Sequence, residues 1–210
     1  MASQTELSPR SARTRAALIA AGFELLVERP IDAIPIDDVV AKAGVAKGSF
    51  FNHFADKQAF ANAIATEVRL EVETLVTRAN AGIEDPVERI AGGMRIAATF
   101  ALTQPKRTAV LLRSQGSSTA RRHPLNSGLR VDIEAAVEQG LLRHEARESG
   151  LLYWLGLCQA VMTNIIEVKP SKEAFRKRLA EILILGLTGL GVPEARAAQI
   201  AKDMAPAKLS

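Results

Sequence analysis

The stretch that decides the fold is residues 39–57, which read VVAKAGVAKGSFFNHFADK. Its apolar residues follow the period of two short helices, and Gly44, five residues after Val39, stands at the turn between them. A glycine permits the left-handed backbone that a sharp turn after a helix needs. This spacing predicts a helix-turn-helix, in which the valines hold the two helices together and Phe50 and Phe54 anchor the second helix to a core.

The second of these helices is predicted to turn its polar side chains outward. They are donors suited to phosphate oxygens and base edges, namely Lys47, Ser49, Asn52 and His53. The net charge says little about function, because it is only +4 and mildly basic proteins serve many functions. The hypothesis of DNA binding therefore rests on local clusters, and its alternative is an ordinary solvated helix face.

The rest of the chain also predicts helices and no convincing strand, since Ala and Leu prevail over β-branched residues. Helices are predicted from Arg10 or Ser11 to Pro30, after Pro35 to Gly44, over 46–53, from Asp56 to about Asn80, from Asp85 toward Thr103, from Pro105 to about Gly116, from Pro124 to Gly140, over Glu145–Val168, from Ser171 to Gly189, and after Pro193. Two domains are predicted, a helix-turn-helix domain over 1–56 and a larger helical body over 57–210.

Composition indicates an ordinary globular protein, with 48% hydrophobic and 24% charged residues in 210. A single cysteine leaves no intrachain disulfide and suits a reducing compartment. The first residues carry no signal-peptide pattern. The apolar run Ile182 to Val192 is shorter than the roughly 20 residues that a bilayer requires. A soluble cytoplasmic protein without a membrane partner is expected.

The quoted stretch resembles the tetracycline-repressor (TetR) family of bacterial transcriptional regulators. It follows the pattern A-G-V-x-K-G-[ST]-[LF]-[FY]-x-H-F-x-x-K without a gap, and the resemblance extends over about Arg13 to Ala65. It implies an all-α fold: an N-terminal three-helix helix-turn-helix domain and a larger C-terminal helical domain for dimerisation and effector binding. The function implied is a homodimeric repressor that leaves a palindromic operator in double-stranded DNA when it binds a small apolar or amphipathic effector.

The resemblance also assigns roles to individual residues. Lys57 resembles the family's phosphate-binding lysine, and Arg13 and Arg15 fall where backbone contacts occur. The contacts of the recognition helix would come from Lys47, Ser49, Phe51, Asn52 and His53.

Three positions depart from the family pattern. Pro35 stands where a capping Ser or Thr is usual, Ala46 replaces a capping Ser at a cost of about 1 kcal/mol, and Phe51 replaces a Tyr. These departures support one alternative, a helical ligand-binding protein or enzyme with a vestigial DNA module. A DNA-binding regulator without a small-molecule inducer is the other.

Effector-pocket candidates lie on the predicted helices beyond residue 85, where ordinary core packing is the alternative for each. They are Met94, Thr99, Phe100, Thr103, Arg113, Trp154, Cys158 and Met162, with Gln115 and Asn164 as further polar candidates. The chain has no Gly-rich phosphate loop, nucleophile elbow or catalytic carboxylate pair, and its histidines lack partners at metal-ligand spacing. We therefore expect no enzymatic activity, metal or cofactor.

A dimer interface is predicted on two late helices. Glu145–Val168 is apolar nearly all round, so it has to be covered on two sides. Small residues that would let helices approach closely recur along this helix and the next. Gly156, Ala160, Ile182 and Gly186 are thus predicted to face a second copy in a four-helix interface.

Overall fold

The computed structural model describes residues 8–113 and 123–204, and every regular element within those ranges is a helix. Two short 3-10 turns, Ile31–Ala33 and Pro124–Asn126, accompany the α-helices. The predicted all-α fold is confirmed. The α-helices are α1 (Pro9–Glu28), α2 (Ile36–Ala43), α3 (Lys47–Phe51), α4 (Lys57–Ala79), α5 (Pro86–Thr103), α6 (Pro105–Arg113), α7 (Ser127–Glu138), α8 (Ala146–Val168), α9 (Lys172–Gly189) and α10 (Glu194–Asp203).

Side-chain caps explain where several helices begin. Asp56 Oδ1 accepts a hydrogen bond of 2.7 Å from the N–H of Ala59 at the start of α4, and Ser171 caps α9 in the same way. Helix α1 begins slightly earlier than predicted, because Ser8 caps it and Pro9 suits the first helical position. The helix predicted from Pro124 opens instead as a 3-10 turn, and α7 begins at Ser127.

The chain divides into two compact units. The first contains the described residues up to Val68 together with those from Ala109 to Arg113, and the second contains the other described residues. Helices α4 and α6 thus contribute residues to both units. The functional division into 1–56 and 57–210 stays a prediction. Helix α4 begins at Lys57, the first residue of the predicted second domain.

An aromatic cluster forms the core of the first unit. Phe50 of α3 is fully buried, and its ring centroid lies 5.6 Å from that of Phe54 and 5.2 Å from that of Phe60 on α4. Gly22 of α1 lies directly against the ring of Phe60, where no side chain would fit. The cluster thereby holds the short α3 by its inner face and leaves the opposite face outward.

Helix α8 is the most apolar helix of the second unit. By length and composition alone it could cross a membrane, with a mean hydropathy of 1.4 over 18 residues. The sequence analysis did not identify α8 as a possible membrane span, because uncharged polar residues such as Gln159 and Asn164 interrupt its apolar run. A core helix meets the same criterion, and Leu151, Trp154 and Met162 of α8 are buried in this unit.

Candidate functional site

The turn before α3 has the geometry that the glycine predicted. Gly44 adopts the left-handed conformation, with φ of 66°, and its N–H bonds back to the last turn of α2. The N–H of Val45 then donates to the carbonyl of Val40 at 3.0 Å. Helix α3 starts after Ala46. The methyl side chain of Ala46 has no hydrogen-bond acceptor, so it cannot cap the helix. The predicted helix-turn-helix is confirmed.

The outward face of α3 carries the predicted contact residues. Lys47, Phe51 and Asn52 are exposed, and Ser49 and His53 are half-buried. The Phe51 ring is 55% exposed and meets only the edge of Phe50, with 5.4 Å between centroids. An exposed ring at this place could contact a thymine methyl group, while the amide of an asparagine can bond to an adenine edge.

Lys47 is paired but accessible. Its Nζ lies 2.8 Å from Oδ1 of Asp37 on α2, and both side chains are more than half exposed. An ion pair in that environment contributes little, because water screens it. A phosphate group could therefore replace the carboxylate as the partner of this lysine.

Lys57 is engaged differently from what the resemblance implies. Its Nζ donates to the backbone carbonyls of Ile31, Asp32 and Ile34 at 3.2, 3.1 and 3.0 Å. An ammonium group has three N–H donors, so all of them are used in this arrangement. Lys57 thus ties the start of α4 to the 3-10 turn after α1, and no N–H is left for a phosphate.

The two arginines of α1 that were predicted to contact DNA, Arg13 and Arg15, are placed unequally. Arg13 is exposed. Arg15 is half-buried, with its Nη1 3.1 Å from Oε1 of Glu67 and its guanidinium 5.6 Å from the ring centroid of Phe54. Arg15 therefore holds α1 against α4, and of these two arginines Arg13 is the one accessible to a partner.

Comparisons with known proteins agree with this geometry. Residues 18–64, which contain the helix-turn-helix, match the model of the bacterial regulatory proteins of the tetR family. Over these residues the chain has the N-terminal helix-turn-helix of the TetR family. The HTH-type transcriptional repressor DhaR of Mycobacterium sp. (strain GP1) is 34% identical over 60 residues. That match spans 29% of this chain and 30% of DhaR, so it covers less than a third of the relative's length.

Solved structures extend the likeness over most of the chain. RolR in complex with resorcinol superposes with a TM-score of 0.60 at 22% identity, covering 96% of this chain and 98% of RolR. A tetR family transcription regulator from Shewanella sp. PV-4 has a TM-score of 0.74 at 16% identity, covering 84% of this chain and 97% of that one. At such identities the likeness concerns the fold.

The candidate effector residues fall into three environments. Core positions are taken by Met94, Phe100, Trp154, Cys158 and Met162. Thr99 is half-buried, with a buried Oγ1 that has no hydrogen-bond partner, and its carbonyl accepts from the exposed Thr103. Gln115 lies outside the described residues.

Arg113 does not lie with the other effector candidates. It belongs to the first unit, where its Nη1 donates to the carbonyl oxygens of Leu26 at 2.7 Å and Val27 at 3.1 Å. It thus satisfies carbonyls at the end of α1, which have no partner within the helix. The assignment of Arg113 to an effector pocket stays a prediction.

A polar cluster that the sequence analysis missed lies in the second unit. Arg69 Nε donates to Oε1 of Glu73 at 2.8 Å, and its Nη2 donates to Oδ1 of the buried Asn126 at 3.2 Å. Burial raises the pKa of the Glu73 carboxyl, against the opposing effect of Arg69. Burial also raises the pKa of the Cys158 thiol to about 12, a shift that Arg69 reduces and Glu73 reinforces. The available signal was a pair of opposite charges four residues apart, Arg69 and Glu73, each directly after a buried valine.

The predicted interface residues differ in how far they are exposed. Gly156 and Ala160 are exposed on α8, and a Cβ added at Gly156 would meet nothing within 4 Å. Gly186 is buried, and a Cβ there would lie 2.9 Å from Cζ3 of Trp154 in the same chain. The glycine therefore permits α9 to approach α8 within one protomer, which corrects its assignment to a contact between two copies. Ile182 is half-buried.

Proposed function

We propose that the protein is a homodimeric transcriptional repressor that binds a palindromic DNA operator and leaves it when a small molecule binds. The observation that carries this proposal is the outward face of α3, which the glycine turn and the aromatic cluster hold in position. The DNA-contacting residues of the protein are Arg13 on α1, Lys47, Ser49 and Phe51 on α3, and Asn52 and His53 directly after α3. Arg15 and Lys57 support the same unit from within.

The roles of these residues follow from their chemistry. Lys47 and Arg13 neutralise phosphates, which positions the unit on the duplex without reading sequence. Asn52 reads a base edge, and Phe51 packs on a thymine methyl group. Ser49 and His53 supply further donors at the edges of the contact.

Dimerisation supplies the affinity that one short helix lacks. Helix α3 has five residues and reaches only a few base pairs, whereas two copies related by a two-fold axis bind two half-sites together. An exposed apolar strip on α8 and α9 supports this arrangement. We call it the α8/α9 strip: it consists of Leu152, Gly156, Ala160 and Leu185, and the two leucines are 60% and 69% exposed.

The effector binds in the second unit at the polar cluster of Arg69, Glu73 and Asn126. Partly buried charges that are paired in an apolar surrounding can orient a polar group of a ligand. The buried hydroxyl of Thr99, which has no partner, supplies one more polar atom in the same unit. The ligand expected is therefore small and amphipathic, and it should lower DNA affinity in the binding assay described next.

Lys47→Ala should weaken binding to DNA in a salt-dependent way. The assay is fluorescence anisotropy on a duplex from the region upstream of the protein's own gene, titrated at several salt concentrations. Loss of one phosphate contact flattens the log–log slope by about 0.9, hence by about two for a dimer. Lys42→Ala is the matched control, because Lys42 is an exposed lysine that pairs with Glu24 on α1. Equal slopes for the two variants, or equal affinity for an unrelated duplex, would contradict the proposed DNA face.

Leu185→Arg should convert the dimer into a monomer. A charged group in an apolar interface loses its hydration without gaining a partner, so association becomes unfavourable. Sedimentation equilibrium at micromolar concentrations measures the mass. Val131→Arg is the control, since Val131 is 52% exposed on α7, a helix that contributes no residue to the strip. If Leu185→Arg remains a dimer with unchanged operator affinity, the interface lies on another surface.

A further inference from the structure

A second candidate binding site lies where α8 ends and α9 begins. The chain forms there a cavity of about 120 Å³, which we call the α8–α9 cavity. Its walls are mostly apolar and include Val161, Ile165, Phe175 and Leu179. None of its lining residues belongs to the Arg69–Glu73–Asn126 cluster, so it is distinct from the effector site proposed above.

One cation lines the α8–α9 cavity. The Nη1 of Arg178 donates to Oδ1 of Asn164 at 3.3 Å, which is long for a hydrogen bond, and both residues line the cavity. A guanidinium has five N–H donors in a planar fork, and this fork matches the two oxygens of a carboxylate. The exposed Arg178 therefore retains donors for an anionic ligand.

The segment around the cavity is the most basic part of the second unit's sequence. Residues 167–178 contain five basic and two acidic side chains, although the whole chain has a net charge of only +4. The resulting potential attracts anions, and the apolar walls favour a ligand with a hydrocarbon part.

From these observations we propose that the α8–α9 cavity binds a small monocarboxylate with a hydrocarbon chain, at a site separate from that of the effector. The hydrocarbon chain lies between Phe175 and Leu179 of α9 and Val161 and Ile165 of α8. The carboxylate accepts two hydrogen bonds from Arg178. The site is thus one for free medium-chain fatty acids or acids of similar shape.

Isothermal titration calorimetry of the full chain with octanoate tests this proposal. Wild-type protein should bind octanoate saturably, and Arg178→Gln should bind it about tenfold or more weakly, since a charge-assisted bidentate contact is lost. Lys177→Gln removes the same charge from the neighbouring residue, which does not line the cavity, and should bind like the wild type. Ala174→Phe fills the cavity from its wall and should abolish binding.

Several outcomes would overturn the proposal. They include an absence of saturable heat with octanoate, equal affinity of Arg178→Gln, and equal affinity of the wild type for octan-1-ol, which lacks the charge. Binding that is lost in Glu73→Gln but kept in Arg178→Gln would assign octanoate to the effector cluster instead. If Ala174→Phe lowers the mass in sedimentation, a second copy fills the cavity. DNA binding is not needed for any of these readouts, so they are independent of the repressor function.

Discussion

Gly22→Ala is expected to destabilise the first unit by about 3 kcal/mol, although it adds only a methyl group. The new Cβ would overlap the ring of Phe60 and lie 2.7 Å from Cδ1 of Ile64. The ring has no space to move, since Phe60 is 1% exposed and its centroid lies 5.2 Å from that of Phe50 and 4.8 Å from that of Phe54. Denaturant unfolding followed by circular dichroism measures the loss.

A second glycine provides the control for this experiment. Gly48→Ala places the same methyl group in α3, where nothing lies within 4 Å of the added Cβ. Alanine is the better helix former, so this variant should gain up to about 1 kcal/mol of stability. The two substitutions should therefore differ in sign. If Gly22→Ala is as stable as the wild type, α1 and α4 do not pack as closely as this structure has them.

Lys57→Met should lower the stability of the first unit by about 1–3 kcal/mol. Methionine keeps the apolar stem and removes the ammonium group, so the carbonyls of Ile31, Asp32 and Ile34 lose their shared donor. Two of these three bonds are partly buried, where water replaces a lost donor poorly. Thermal unfolding should show a lower midpoint, by about 2–4 °C per kcal/mol for a chain of this size.

The same variant separates the two roles that Lys57 could have. Where the variant is folded, its DNA affinity should keep the salt dependence of the wild type, because the ammonium group binds carbonyls and not a phosphate. Lys47→Ala, in contrast, should flatten that dependence. Unchanged stability together with a flatter slope would show that Lys57 contacts the DNA backbone, as the family resemblance implied.

Local signals in the sequence were enough to predict the helices and the turn that presents α3. Gly44 has the predicted left-handed backbone, Asp56 and Ser171 cap the helices that follow them, and Phe50 and Phe54 point inward. Each of these features depends on residues within a few positions of one another. Backbone conformation and hydrogen bonds to near neighbours decide them, so the order of residues is sufficient.

Tertiary packing decided which partner each polar or small residue meets. Lys57 binds carbonyls 23–26 residues away, Arg69 reaches Asn126 across 57 residues, and Arg113 caps α1 from 86–87 residues away. Gly186 likewise packs on Trp154 of its own chain and not on a second copy. The helical period tells which face of a helix is apolar, but the element that covers the face depends on how distant helices fill space together.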